Sequence, residues 1–351
     1  MNSYSPPPIP ASHHPAPRRR SLWPWVIGAA MLCGIGFVVL IIVGFFSALA
    51  SGLKEGPSFA GRSSHYNKTV IRSGSSERIA HIDLEGVITA SPTRNGTSMV
   101  DDFHELVDSA VKDQSVKAIV IRINSPGGEV TASDRIHRII QQADGRKPVV
   151  AYLDTIAASG GYYAACGSRQ IIAHPTTFTG SIGVIMQSVK YRDLFDKVGV
   201  SMEVYKSGAL KDLLSGMRET SPEEIALVNG LIQETYTRFL EVVAQNRSKS
   251  VEELRASPMT DGRIFSGSQA LAAGMVDGNG FVDDAYEHAM ELAGAKGASV
   301  IRYTPRLGFF NLFSQLASAG DASGRLEIDV SDRLLPRLQA GVPLYLHADG
   351  Y

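Results

Sequence analysis

From Ser21 to Leu53 the chain carries no charged residue, and its centre, Val26 to Leu49, reads VIGAAMLCGIGFVVLIIVGFFSAL. About 20 apolar residues cross the hydrocarbon core of a bilayer as a helix, and this run exceeds that. A buried core helix is rarely apolar on every face for so long. A cleaved signal peptide has an apolar region of about 7–15 residues ahead of a small-x-small site. Ala48–Ala50 imitates such a site, but the stretch before it is too long. The expectation is therefore one uncleaved transmembrane helix over residues 25–49, with Trp23 and Trp25 at the membrane interface.

The flanks differ in character. Residues 1–20 hold prolines at 6, 7, 8, 10, 15 and 17 and end in Arg18, Arg19 and Arg20. Such a segment is too polar and too broken by proline to pack, and is expected to be disordered. The arginine cluster favours an N-terminus on the inner side. The folded part would then stand outside the cytoplasm, on a single-pass protein of the cell membrane. Residues 52–77, rich in Gly and Ser, read as a tether.

Composition narrows the rest. The 34 Lys+Arg and 35 Asp+Glu leave a formal net charge of −1, with no electrostatic reason to expect a nucleic-acid partner. The two cysteines are Cys33, inside the expected span, and Cys166. A disulfide within one chain is thereby excluded in practice, and so is a thiolate zinc site.

Beyond the tether, strand and helix patterns alternate. Arg78–Ile88 reads as a strand turning at Gly86, Ser98–Lys112 as an amphipathic helix, and Lys117–Ile123 as a buried strand. Then follow a helix over Thr131–Ala143, a strand over Pro148–Leu153, a helix from Ser159, and strands near Ile171–His174 and Ile182–Met186. Ser221–Asn246 is a long helix with a Ser-Pro-Glu-Glu start. Shorter helices are expected at Val251–Ala256, Ser266–Ala273 and Asp283–Leu292. The βαβαβ order implies parallel strands in one α/β domain, residues 78–305, followed by a partly ordered tail over 306–351.

Four segments could carry chemistry. Ser125-Pro126-Gly127-Gly128 follows a buried strand, and its glycines can take positive φ and aim N–H groups at an oxyanion. Taken alone, it is an ordinary strand-to-helix turn. Ala158-Ser159-Gly160-Gly161-Tyr162-Tyr163 sets a serine between small residues, which by itself is an N-cap. Gly180-Ser181-Ile182-Gly183-Val184 and Lys206-Ser207-Gly208-Ala209-Leu210-Lys211-Asp212 mean little in isolation.

The order and spacing of all four resemble the signal peptide peptidase A family, peptidase family S49, of the short single-domain type. The resemblance covers Ile79 to Gly294 and implies a ClpP/crotonase-like fold with a serine–lysine dyad. It places the nucleophile on Ser159, the general base on Lys211, and a serine that holds the lysine on Ser181. Gly127, Gly128 and the Ser159–Gly160 backbone match the oxyanion hole. The substrates it implies are remnant signal peptides and other peptides at the membrane. It also suggests a homo-oligomeric ring with sites shared between neighbours. One departure is Ser215-Gly216-Met217-Arg218, where many members have S-P-x-R.

The dyad makes physical sense apart from the family. Serine is a poor nucleophile until a neighbour takes its proton, and only a neutral lysine can do so. Asp212 must then point away from the base. Lys206 is a rival base, and His174, His81, His104 and His137 are rival histidines outside any recognisable triad pattern. No metal, nucleotide or redox cofactor is implied. The competing readings are a crotonase-type acyl-CoA hydratase or isomerase, which needs carboxylates at the site, and a catalytically silent membrane scaffold.

Overall fold

The computed structural model describes residues 66–92, 97–305 and 344–346. The expected disordered tail and membrane span lie outside them. Among the described residues no helix is long and apolar enough to cross a membrane.

In chain order the elements are β1 (Tyr66–Arg72), β2 (Ser75–Glu85), α1 (Met99–Lys112), β3 (Val116–Ser125), β4 (Gly127–Glu129), α2 (Val130–Asp144), β5 (Val149–Ala158), α3 (Gly160–Ala165), β6 (Gln170–Ala173) and β7 (Phe178–Gly180). They continue with α4 (Arg192–Lys197), α5 (Pro222–Arg247), α6 (Val251–Ala256), β8 (Ile264–Ser266), α7 (Gly267–Ala272), β9 (Gly278–Asn279), α8 (Val282–Ala293), β10 (Ala298–Pro305) and β11 (Leu344–Leu346).

The main sheet runs β1-β10-β2-β3-β5-β6-β9 and is parallel from β10 to β9. A parallel sheet must be covered on both faces, and the side-chain alternation of each strand provides for it. Ala80, Ile82, Leu84, Ile119, Ile121 and Ile123 pack in one core with Phe103 of α1, Ile136 of α2 and Tyr162 of α3. The intervening Ile79, Ala118 and Val120 pack with Ala285, Tyr286 and Ala289 of α8. Local signals set the helix ends. The Ser98 hydroxyl caps α1 by accepting from the Asp101 amide, and Ser221 with Glu224 closes a capping box on α5.

Two expectations are corrected. The tether was expected to reach residue 77, but Tyr66–Arg72 is β1, antiparallel to β10. Its residues are largely exposed, so no apolar alternation marked it as a strand. The strand expected at Ile182–Met186 lies earlier, at Phe178–Gly180. Gly180 at φ 82° and Ser181 at φ 50° turn the chain out of the strand before the apolar Ile182-Gly183-Val184 run begins.

Three features of β5 place the candidate site. Its first half pairs with β6 and its last three residues pair with β7. On its other side Ala157 lies opposite Ser125, the last residue of β3. The loops leaving β3, β5 and β7 therefore emerge side by side at the C-terminal end of the sheet, where open α/β sheets place their ligands.

Candidate active site

Ser159 joins β5 to α3 at φ 50° and ψ −114°, outside the regions that non-glycine residues ordinarily occupy. Such a conformation costs on the order of 1–3 kcal/mol and persists where its surroundings hold it. Here the Ser159 amide donates to the Gly180 carbonyl at 2.8 Å, and the Ser159 carbonyl accepts from the Tyr163 amide at 2.9 Å. Tyr162 and Tyr163 anchor the turn from behind. The Tyr162 hydroxyl donates to the Met275 carbonyl at 2.7 Å, and that of Tyr163 donates to the Asp134 carboxylate. The Ser159 side chain is left over: Oγ is buried and has no hydrogen-bond partner among the described residues.

The glycine loop packs directly on this turn. Gly127 takes φ 104°. A Cβ at Gly160 would stand 3.1 Å from both Gly127 Cα and the Gly128 nitrogen, and one at Gly161 would stand 2.8 Å from the Ser125 carbonyl oxygen. The paired glycines of Ser159-Gly160-Gly161 are there because no Cβ fits: Gly160 lies against Ser133 Oγ and the glycine-loop backbone, and Gly161 against the Ser125 carbonyl.

Within the loop the amides are divided. Gly127 donates to Ser125 Oγ at 3.1 Å, and Glu129 donates to the Ile88 carbonyl at 2.8 Å. Ile88 in turn donates to the Gly127 carbonyl at 2.8 Å. Because backbone groups alternate sides along a strand, Gly128 directs its N–H and C=O to the opposite edge of β4. β11 runs antiparallel along that edge, with Leu346, Tyr345 and Leu344 opposite Gly127, Gly128 and Glu129. Nothing in the sequence pointed to this pairing.

Ser181 is also near the serine turn. It is buried, follows Gly180, and its amide donates to the Arg263 carbonyl at 2.8 Å. Ser159, Ser181, Gly127, Gly128 and Gly160 thus come from three adjacent strand ends.

Lys211 is not joined to them within the chain. It lies in an irregular segment, exposed, beside an open hollow lined by Ser207, Gly208, Ala209, Leu210 and Glu223. Its ammonium has no hydrogen bond or ion pair among the described residues. Lys206 differs: its ammonium donates to the Ala209 carbonyl at 2.9 Å and to Asp212 Oδ1 at 2.7 Å. Asp212 also receives two hydrogen bonds from Arg218, which, with Lys206, hold its carboxyl well below the usual carboxylate range. Arg218 also binds Glu224 and keeps that carboxyl down at about 2. The negative charge beside Lys211 is therefore engaged with Lys206 and Arg218. In the same segment, a Cβ at Gly216 would meet the Tyr191 ring at 2.2 Å, so the proline common at this position could not sit here unless Tyr191 moved.

The histidines are accounted for elsewhere. His81 is bonded among Asp83, Tyr286 and Arg302, His174 pairs with Thr176, and His104 lines a separate hollow by α1. His137 is buried against Tyr163, and burial pushes its imidazole down to about 4. Among the described residues no group of acidic, Cys or His side chains could hold a metal ion.

A strained serine turn with an unpartnered hydroxyl, set against a glycine loop at the end of a parallel sheet, defines the class as an α/β enzyme of nucleophilic type. Comparison with known proteins agrees with that class. The model of peptidase family S49 matches residues 141–296, and that of Clp protease matches residues 95–178. A Synechocystis sp. protein named as a protease is 41% identical over 62% of this chain and 75% of its own length. An Enterococcus faecium protein named as signal peptide peptidase SppA is 34% identical over 70% of this chain and 72% of its own. Protease 4 of Salmonella typhi is 35% identical over 62% of this chain and 35% of its own. The chain belongs to peptidase family S49, as an SppA-type serine peptidase. That membership sets aside the hydratase and silent-scaffold readings.

Proposed function

We propose that this peptidase is anchored in the cell membrane and cleaves remnant signal peptides and other peptides there, with Ser159 as nucleophile and Lys211 of a neighbouring copy as general base. One observation carries the reading. Two groups that a dyad requires, Ser159 Oγ and Lys211 Nζ, each lack a partner among the described residues. A buried hydroxyl without a partner is unfavourable unless something else supplies one.

In the reaction, neutral Lys211 takes the Ser159 proton as Oγ bonds to the substrate carbonyl carbon. The carbonyl oxygen becomes an oxyanion held by the Gly128 and Gly160 amides. The Lys211 ammonium then gives its proton to the leaving amine, and water releases the acyl group by the reverse sequence. Ser181 steadies the lysine from the adjoining turn. Gly127, whose amide is turned onto Ser125, shapes the loop and leaves donation to its neighbour. The substrate lies as an extended strand along the free edge of β4, in the place that β11 takes in the isolated chain.

A second copy also answers the surface around Lys211. Between residues 189 and 205 the chain exposes Val189 (75%), Leu194, Met202 and Tyr205 (88%), and α4 buries none of its residues. Contiguous exposed apolar groups mark interaction surfaces. A closed ring of head-to-tail contacts would cover this segment at every interface and bring Lys211 to the next Ser159. The uncharged run Ser21–Leu53 is the anchor, and the Arg18–Arg20 cluster keeps the N-terminus inside and the peptidase domain outside the cytoplasm. The test is labelling of the full chain by a serine-directed fluorophosphonate together with cleavage of a signal-peptide substrate. Both should be lost in Ser159→Ala. Retention of either refutes the nucleophile.

A further inference from the structure

Ser133 has the same anomaly as Ser159 and packs against the residue that follows it, Gly160. It lies in the first turns of α2, fully buried, and its Oγ has no hydrogen-bond partner among the described residues. A serine inside a helix ordinarily satisfies its hydroxyl on a carbonyl one turn back; Ser133 does not.

Its position makes the missing bond informative. A Cβ at Gly160 would stand 2.4 Å from Ser133 Oγ, as well as 3.1 Å from Gly127 Cα and from the Gly128 nitrogen. The hydroxyl, the glycine loop and the residue after Ser159 are therefore packed directly against one another. β4 presents the Gly128 amide to the side on which an extended chain pairs. The Ser133 O–H is uncommitted and stands against the two segments whose amides would hold an oxyanion, a position from which it can donate to that anion.

We propose that Ser133 is a further catalytic residue of this peptidase, whose Oγ–H donates to the tetrahedral oxyanion beside the Gly128 and Gly160 amides. The proposal rests on the reading of Ser159 as nucleophile, which Ser159→Ala tests separately. It differs from a packing role in a way that can be measured. Such a donor acts in the transition state and leaves ground-state binding alone. Its hydroxyl also burdens the resting fold, since a buried polar group without a partner is destabilising.

The experiment compares full-length wild type with Ser133→Ala by steady-state cleavage, by affinity for a peptide boronate that forms a tetrahedral adduct on the serine, and by thermal unfolding. The expected result is a fall in kcat of roughly 10- to 100-fold, a KM within about twofold of wild type, and boronate affinity reduced by a similar factor. The unfolding midpoint should be unchanged or higher. Unaltered kcat and boronate affinity would overturn the proposal. So would a lower midpoint with kcat and KM both impaired, since that is the signature of a packing residue.

Discussion

The Ser159 amide donates to the Gly180 carbonyl at 2.8 Å, which ties the turn that carries Ser159 to the turn that carries Ser181. Both serines take φ 50°, and the residue before Ser181, Gly180, takes φ 82°. Two strained turns thus brace one another across β5 and β7, and neither hydroxyl position depends on a flexible loop.

The strain at Ser159 has a measurable consequence. Ser159→Ala removes the hydroxyl but keeps the Cβ at positive φ, whereas Ser159→Gly removes both. Both variants should be inactive, and Ser159→Gly should be the more stable by about 1 kcal/mol in equilibrium unfolding. Equal stability of the two would mean that the turn stores no strain.

The two lysines of the Lys206–Lys211 segment should respond differently to arginine. Lys206 is already engaged as a cation with Asp212, and a guanidinium can keep that pair. Lys206→Arg should retain substantial activity. Lys211→Arg should be inactive, because a guanidinium cannot accept the serine proton. Peptide-cleavage rates of the two variants decide the matter, and the opposite ranking moves the base to Lys206.

Much of this was legible beforehand, for physical reasons. Parallel strands buried on both faces read as apolar runs, so β2, β3 and β5 were visible along with the helices between them. The glycines of Ser125-Pro126-Gly127-Gly128 signalled positive φ and amides aimed at a ligand, and Ser159-Gly160-Gly161 a serine set among small residues. The close approach of the two segments joins parts of the chain too far apart for a local pattern to show. β1 was hidden because an exposed edge strand has no apolar period. The pairing of Leu344–Leu346 with Gly127–Glu129 spans too much sequence for any local pattern to reveal it. Ser133 was invisible because an interior helical serine becomes informative only when its hydroxyl is found without a partner.

The β4–β11 pairing predicts intramolecular competition. A tethered strand acts at a high effective concentration, so it should raise the KM of an added peptide. Ending the chain at Ala340 should lower KM for a signal-peptide substrate several-fold with little change in kcat. An unchanged KM would show that β11 does not occupy the substrate edge.

His137 sets an acid limit on stability. Its folded-state value, pushed down to about 4 by burial, lies below the unfolded value of about 6.5. Between those limits the unfolded chain binds more protons, so stability is full above about pH 6.5 and falls as pH drops toward about 4. Denaturant unfolding over that range should show the slope, and His137→Gln should flatten it. A wild-type slope preserved in His137→Gln would assign the acid sensitivity to other groups.

The most direct measurement is complementation between two inactive chains. Ser159→Ala and Lys211→Ala, each inactive alone, are dissociated and reassembled together in equal amounts, and incorporation of both into one particle is verified by native mass spectrometry. With Ser159 of one copy facing Lys211 of the next, about a quarter of randomly formed interfaces contain both intact residues, and cleavage of a signal-peptide substrate returns to about that fraction of wild type. Mixed particles that remain inactive would contradict a dyad shared between neighbouring copies.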